Sequence, residues 1–544
     1  MTAYFYYISG QLYNYLNSKI YRVADHGPDD LFFVIINGSI FISFLTIFLH
    51  FFTSLNVTLN SIIFILIITL GLINYKKNFN KKIIIKLSCL SLASLLFIIF
   101  SNINRPDAAL YHLPYISYLN EHKIIPGISN IHFRFGHTSI LQYLSAINFN
   151  FLFGINGISL PTSILALAII FYFLNRILKI CKEKQSNLEF FYILFILVFI
   201  FFKMIRYSEY GNDNITHLLY FLLISLCLSP HYNKNIFLIT SLATYIFLNK
   251  NTHVLVLTIP LFFFLKNKFF NQKKIFFQNI ISFHSLMLSF WIIKNIFISG
   301  CLIYPINITC FEKYDWTENI EKIKNIQISS EAWSKGLPEN TKEISEEQFI
   351  KKFNWLKAWS KKHLKYILNI IIPYILTLFL IIYLVGRKNK KKISLSAEFY
   401  SLLLINAIFT LIFFLEFPLF RYGSSYLISL IVLLIIFFAK KLTSDEKISL
   451  SKKFIFIFII IFTIKQFERI KNRFNETYIN KPWPNIFSLS DVSMVEKIKI
   501  FEEKKLKIFI AEDVCAYTMP ICTNYKPEKL VIEKKFDYYI IKAK

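Results

Sequence analysis

Two carboxylates, four imidazoles and a guanidinium crowd the stretch from Asp107 to His137, between long apolar runs. Ionisable groups beside hydrocarbon are costly and tend to be paired or functional. Asp107 follows Arg105-Pro106 and opens the run Asp107-Ala-Ala-Leu-Tyr-His-Leu-Pro114. An Asp in that place suits a helix N-cap. It equally suits a general base acting on an acceptor hydroxyl, and a divalent cation is the one cofactor such a carboxylate would admit. His112 lies five residues on, near the same helical face. Arg134 and His137 follow in Asn130-Ile-His-Phe-Arg-Phe-Gly-His-Thr138, with His132 beside them. A planar, permanently charged guanidinium fits a phosphate oxygen; for Arg134 the plainer alternative is an ion pair with Asp107 or Glu121.

Three further turns carry the same kinds of group. Asp213 ends Arg206-Tyr-Ser-Glu-Tyr-Gly-Asn-Asp213 and starts another apolar run, either as an N-cap or, with Glu209, as added carboxylate on the same face. Lys250 stands alone in Asn249-Lys-Asn-Thr-His253, and Arg421 in Phe417-Pro-Leu-Phe-Arg-Tyr-Gly423. Each reads as a contact to lipid phosphate or pyrophosphate, or as a snorkelling surface cation. A face with this mixture suits an anionic, lipid-linked substrate.

The elements that must hold these turns are membrane helices. The 544 residues have 55% hydrophobic content, and apolar runs long enough to span a bilayer recur along most of the length. The period-two alternation of a membrane barrel is absent. A net charge of +28 would suit nucleic acid, but the Lys and Arg sit in short blocks between apolar runs, such as Arg387 to Lys392. That is the pattern of cytoplasmic loops and of contact with anionic membrane lipids, so nucleic acid is excluded as a partner. The expected fold is an all-α polytopic membrane protein with about thirteen transmembrane helices, at 31–52, 57–74, 83–101, 159–178, 189–205, 214–229, 235–249, 254–269, 279–299, 366–385, 397–415, 424–439 and 453–465. A cytoplasmic N-terminus places the dense basic blocks inside, and the 102–158 and 300–365 loops and the C-terminus on the periplasmic side of a bacterial inner membrane. Residues 138–153 are apolar, but counting them as a span would turn Lys179, Lys182 and Lys184 outward; they read as a juxtamembrane or re-entrant helix shielded by protein.

The domain reading is an interfacial N-terminal segment over 1–30, a helical bundle over 31–465, and a small extracytoplasmic α/β tail over 466–544. The first segment lacks a cleavable leader pattern and carries the Tyr and Leu residues of an interfacial helix. In the tail, Lys507–Ala511 and Tyr538–Ile541 look strand-like. Cys301 with Cys310, and Cys515 with Cys522, are neighbouring pairs outside the spans that an oxidising compartment would let close as disulfides. Cys89, Cys181 and Cys227 lie in or beside spans as small apolar residues.

Taken together, several spans, an outer loop opening on Asp107, an apolar juxtamembrane helix and an Asp in the next outer loop resemble the polytopic glycosyltransferases that use lipid-linked sugars, the GT-C class. More closely, the chain resembles a family of uncharacterised bacterial membrane proteins related to that class. That likeness rests on Asp107–Pro114, Pro126–Gly136, Trp291–Gly300 leading to Tyr304-Pro305, Asp315-Trp316, Phe420–Gly423, and Cys515 to Cys522 with Pro520. The resemblance implies Asp107 as catalytic carboxylate, Asp213 as a second acid, and Lys250 and Arg421 on phosphate, with His112, Arg134 and His137 in support. It implies a polyprenyl-phosphate-linked sugar as donor and a lipid or glycan acceptor. Many members of the class follow the first acid with another; here Ala108 follows Asp107. The competing expectations are a transporter or flippase of lipid-linked glycans, and a non-catalytic envelope-assembly protein.

Overall fold

Inside lipid a segment must satisfy its own backbone, so the apolar runs form helices. The computed structural model describes residues 1–20, 30–73, 80–100, 107–183, 188–204, 211–230, 232–266, 282–338, 344–386, 395–438, 446–474, 499–512, 515, 517, 521–524 and 530–543. The helices are α1 Thr2–Ile20, α2 Leu31–His50, α3 Val57–Ile73, α4 Lys81–Ser94, α5 Leu113–Glu121, α6 Ile140–Ala146, α7 Leu160–Glu183, α8 Leu188–Phe202, α9 Asp213–Cys227 and α10 Ile236–Asn249. They continue with α11 Thr258–Lys266, α12 Phe283–Ser299, α13 Ile320–Ser334, α14 Glu346–Ile350, α15 Leu356–Trp359, α16 Lys365–Gly386, α17 Ala397–Glu416, α18 Phe420–Phe438 and α19 Glu446–Phe474.

Each expected span contains a helix. Among the described residues, 6 helical stretches are long and apolar enough to cross a bilayer, and Val57–Ile73, Leu188–Phe202, Asp213–Cys227, Ile236–Asn249, Asn251–Lys266 and Phe283–Ser299 are shorter apolar helices. The chain is therefore a largely helical membrane protein. Helix α8 is apolar all round and buried from Leu188 to Phe201, packed among α7, α18 and α19 as a central helix should be. By contrast α16 and α17 leave Leu376, Phe379, Leu404 and Leu411 uncovered, the kind of face that hydrocarbon covers.

Residues Thr2–Ile20, within the expected N-terminal segment, form α1, which is buried along Thr2–Gly10 against α2. The reason is a close helix crossing made by glycines. A Cβ on Gly10 would lie 1.8 Å from the Val34 carbonyl oxygen, and one on Gly38 would lie 1.9 Å from that of Tyr6. Small residues let backbones approach in this way. The bundle also runs past residue 465, since α19 continues to Phe474.

The 138–153 run holds the seven-residue α6, too short to cross a membrane. It starts in a capping box between Ser139 and Gln142. Two buried amides hold its end: Asn60 and Asn120 both donate to the Ala146 carbonyl, each at 3.0 Å.

The described part of the tail beyond α19 is β structure. Strands β1 Lys499–Glu503 and β2 Leu506–Ile510 pair antiparallel, β3 Cys522–Thr523 joins β2 in parallel, and β4 Leu530–Lys535 forms a hairpin with β5 Tyr538–Ala543. The Cys515–Cys522 disulfide ties the first sheet, and Cys301–Cys310 closes a loop after α12. The tail grips the chain between α5 and α6. Ile541 N–H donates to the Pro126 carbonyl at 2.9 Å, Lys123 pairs with Asp537 at 2.8 Å, and Tyr517 donates to Asn120 at 2.9 Å.

Candidate functional site

Asp107 begins a π-helical turn, Ala108–His112, that runs into α5 with Pro114 in its first turn. Pro114 has no N–H to give and sits where a helix can spare one. Wider π turns recur at functional positions, and here the turn brings residues five apart onto one face. The N-cap reading of Asp107 fails: its backbone is already helical and its side chain caps nothing. The carboxylate instead faces two guanidinium groups, Arg421 Nη1 at 3.3 Å from Oδ2 and Arg134 Nη1 at 4.0 Å from Oδ1.

Those two arginines come from distant segments. Arg134 sits in the 3-10 turn Phe133–Gly136, whose start is fixed by His132 Nδ1 accepting from the Arg134 N–H at 3.0 Å. Its guanidinium carbon lies 4.9 Å from the Tyr111 ring centroid. Arg421 was expected in a turn but occupies the first turn of α18, a poor place for a cation because the helix dipole is positive there. Asp107 offsets that cost. His217 of α9 holds the Arg421 carbonyl through Nε2 at 2.9 Å, and Arg421 Nη2 donates to Tyr422 Oη at 3.1 Å.

Asp213 is likewise no cap. Asn212 holds the cap position and Asp213 is the first residue of α9, its carboxylate ion-paired with Lys250. Lys250 is extended between α10 and the 3-10 segment Asn251–Leu257, and its ammonium lies 4.1 Å from the Tyr422 ring centroid. Asn249 secures both partners. It donates to Thr216 Oγ1 at 2.7 Å and accepts from Ser139 Oγ at 2.7 Å, tying α9, α10 and the start of α6 together.

His112 is buried, and its Nδ1 lies 3.3 Å from Gln142 Nε2. Gln142 Oε1 is committed to the Ser139 N–H at 2.8 Å. The amide therefore presents its NH2 to the ring, which makes Nδ1 the acceptor of a neutral imidazole. Burial agrees, lowering the His112 pKa to about 4 although Asp107 and Asp213 oppose the shift. His137 is pushed to about 3 by burial and by Arg134. Its ring meets Tyr304 edge-on at 5.3 Å, where Tyr304 packs so closely on Gly136 that an added Cβ would sit 2.4 Å from the ring.

All seven expected residues, Asp107, His112, Arg134, His137, Asp213, Lys250 and Arg421, line one cavity of about 1080 Å³. At its deep end three cations, Arg134, Lys250 and Arg421, meet two carboxylates, Asp107 and Asp213. The lining also has apolar members, Val254 and Leu255 with Ile412 and Phe413 of α17. Glu209 lies outside the described residues, as do Arg105 and Pro106. A divalent cation does not fit what is present. Among the described residues no group of three or more His, Cys, Asp or Glu could hold a metal ion, and Asp107 and Asp213 both face cations.

Sequence reasoning missed Tyr422, Trp333, Gln142 and His217 as parts of this site. Tyr422 adjoins Arg421, so the Arg-Tyr pair was a usable signal. Trp333, Gln142 and His217 reach the site only through folding from other segments.

Residues 2–428 match the model of a family described as a domain of unknown function, DUF8201. The match takes in every residue of the deep end of the cavity and stops short of α19 and the β tail. No curated protein matches the chain, and no solved structure matches it.

Proposed function

The chain belongs to the DUF8201 family, and from its cavity we propose that it is a membrane glycosyltransferase that moves a sugar from a polyprenyl-phosphate donor to a lipid or glycan acceptor. In this reading the bundle has thirteen spans in a GT-C-like layout. The cavity faces the periplasm of a bacterial inner membrane, a side on which the two disulfides would persist.

One observation carries the reading: Asp107 sits as a stand-in anion between Arg421 and Arg134, at 3.3 and 4.0 Å. Contacts this long are exchangeable, because a charge-assisted N–H···O bond closes to about 2.7–2.9 Å when it is committed. The donor phosphodiester, a monoanion with two non-bridging oxygens, competes with one carboxylate for the two guanidinium groups, and the second negative charge appears only as the sugar leaves. The donor phosphate takes those partners and Asp107 is left free beside the reacting carbon. The acceptor hydroxyl then attacks the anomeric carbon as its proton passes to Asp107. The bond from anomeric carbon to phosphate oxygen breaks, and the lipid phosphate leaves with the electron pair. Arg421, Arg134 and Lys250 offset the charge that grows on that oxygen, an interaction stronger in the transition state than before it. The polyprenyl chain lies against the apolar members of the lining, Val254, Leu255, Ile412 and Phe413.

Asp107→Asn tests the assignment in membranes supplied with polyprenyl-phosphate hexoses. Sugar transfer is expected to fall about 10²–10⁴-fold. Protein level should hold and thermal stability should change little, because Asp107 caps no helix and the part-exposed pair it makes with Arg421 is worth about 1 kcal/mol or less. Transfer at the wild-type rate would remove Asp107 from the chemistry.

A further inference from the structure

Helix α13 is amphipathic in an unusual sense. Its apolar side is anchored outward: Ile323 packs on Cys301 and Tyr304, and Ala332 on Phe349 and Trp355. Its polar side looks into the cavity rather than into open solvent. Lys322, Asn325, Ser329 and Trp333 lie on that side and line the cavity, with Ser330 beside them. Their spacing of three, four and four residues makes one continuous stripe on a helix. At 1.5 Å per residue the stripe is ~16 Å long. At one end the Trp333 ring centroid is 5.5 Å from the Arg421 guanidinium carbon, and at the other Lys322 stands on the side of Tyr304 and His137.

The chemistry of the stripe selects a ligand class. Trp333 is 46% exposed although it forms part of a cavity wall, so it offers an open aromatic face. Asn325 offers both amide groups and Ser330 a hydroxyl. The one cation on the stripe is spent: Lys322 is paired with Glu318 at 2.9 Å, and Glu318 also accepts from Tyr304 Oη at 3.0 Å. A phosphorylated or strongly charged ligand would find no unspent cation along this wall. A ligand with apolar ring faces and many hydroxyl edges matches an aromatic plate followed by amide and hydroxyl groups. The length exceeds what one donor sugar beside Arg421 can fill.

We propose that the cavity-facing stripe of α13, from Trp333 through Ser330 and Asn325 to Lys322, is the binding surface for a neutral saccharide acceptor of more than one ring. This rests on the glycosyltransferase reading and names the acceptor class for that same cavity. It makes Trp333 the sugar-stacking platform nearest the reaction and Asn325 the residue that reads hydroxyls at the distal ring.

The test is equilibrium binding to the full-length protein in nanodiscs, with free chitotriose, mannotriose and galactotriose as saccharide probes and undecaprenyl phosphate as the separate lipid-phosphate probe. At least one trisaccharide should bind, and should still bind when undecaprenyl phosphate is saturating. Asn325→Leu and Trp333→Ala should each weaken that binding about tenfold or more, with Trp333→Phe retaining most of it. Asn325→Leu, far from Arg421 along the stripe, should leave undecaprenyl phosphate affinity within about twofold, whereas Arg421→Ala should reduce it. Failure of all three trisaccharides to bind, displacement of the trisaccharide by undecaprenyl phosphate, or wild-type saccharide affinity in Asn325→Leu would each overturn the proposal. Undecaprenyl phosphate bound normally alongside any of these results leaves the wider reading standing. Saccharide binding without any lipid-phosphate binding would instead strike the donor assignment.

Discussion

Two acid–arginine contacts in this protein use the same chemical groups to opposite ends. Between α7 and α8, Glu189 receives Arg176 in a fork, Nε at 2.6 Å and Nη2 at 2.7 Å, and the carboxylate is only 1% exposed. In the cavity, Asp107 meets Arg421 and Arg134 with one nitrogen each, at 3.3 and 4.0 Å. The first pair is closed, with both oxygens spoken for and no room for a competitor. The second is open to a large hollow and leaves hydrogen-bonding capacity unspent on all three partners. Geometry therefore separates a pair that holds helices together from one arranged to exchange partners. Residue type alone does not.

Substitutions can break that contrast. The largest stability effect is expected at the closed pair. Glu189→Ala leaves a half-buried guanidinium without its fork of two charge-assisted hydrogen bonds and should destabilise the protein by about 2 kcal/mol. Thermal unfolding in detergent would read this, and an unchanged melting temperature would mean the fork is not structural. Next in size is Arg421→Lys, which keeps the charge but loses the planar fork. It should weaken binding of polyprenyl phosphate about tenfold with little change in melting. A stability loss as large as that of Glu189→Ala would erase the distinction between the two contacts. Arg134→Lys, whose contact is the longer one, should cost less affinity in the same titration.

A pH dependence sharpens the comparison further. Burial holds His112 and His132 at about 4 and His137 at about 3, below the ordinary histidine value of 6.5. Between those values the unfolded chain binds protons that the folded chain does not. Stability should therefore fall as pH drops from about 6.5 toward 4 and level off above. His112→Gln should flatten part of that slope in melts recorded across the range; an unaltered slope would show that His112 is not held neutral. The smallest effect belongs to a surface pair. Lys123→Ala removes an ion pair with Asp537, which is 76% exposed, and should leave the melting temperature almost unchanged. Limited proteolysis of the tail is the sensitive readout.

Much of the fold was legible. A run of apolar residues has one stable backbone solution in hydrocarbon, so each of the thirteen expected runs contains a helix, and α6 emerged as a short helix where the placement of Lys179, Lys182 and Lys184 argued against a span. The close packing of the N-terminal helix on α2 was not legible, because its signal is a pair of glycines, Gly10 and Gly38, whose meaning depends on which helix they meet. In the site, Asp107, Asp213, Lys250 and Arg421 stood out as charges at the ends of apolar runs. Their partners did not. Both aspartates looked like helix caps because an Asp before a helix usually is one; only the fold reveals that cations from other segments claimed the side chains first.

Composition and the placement of charge thus determined, unaided, that this chain is a helical membrane protein with ionisable groups gathered at the ends of its apolar runs. Solvation dictates both, and solvation is a property of each segment taken separately. Which cation faces which carboxylate, how loosely, and across what cavity were decided by the tertiary structure alone. Arg421 and Asp107 are separated by 314 positions in the chain. Their distance in space is set by the packing of every helix between them.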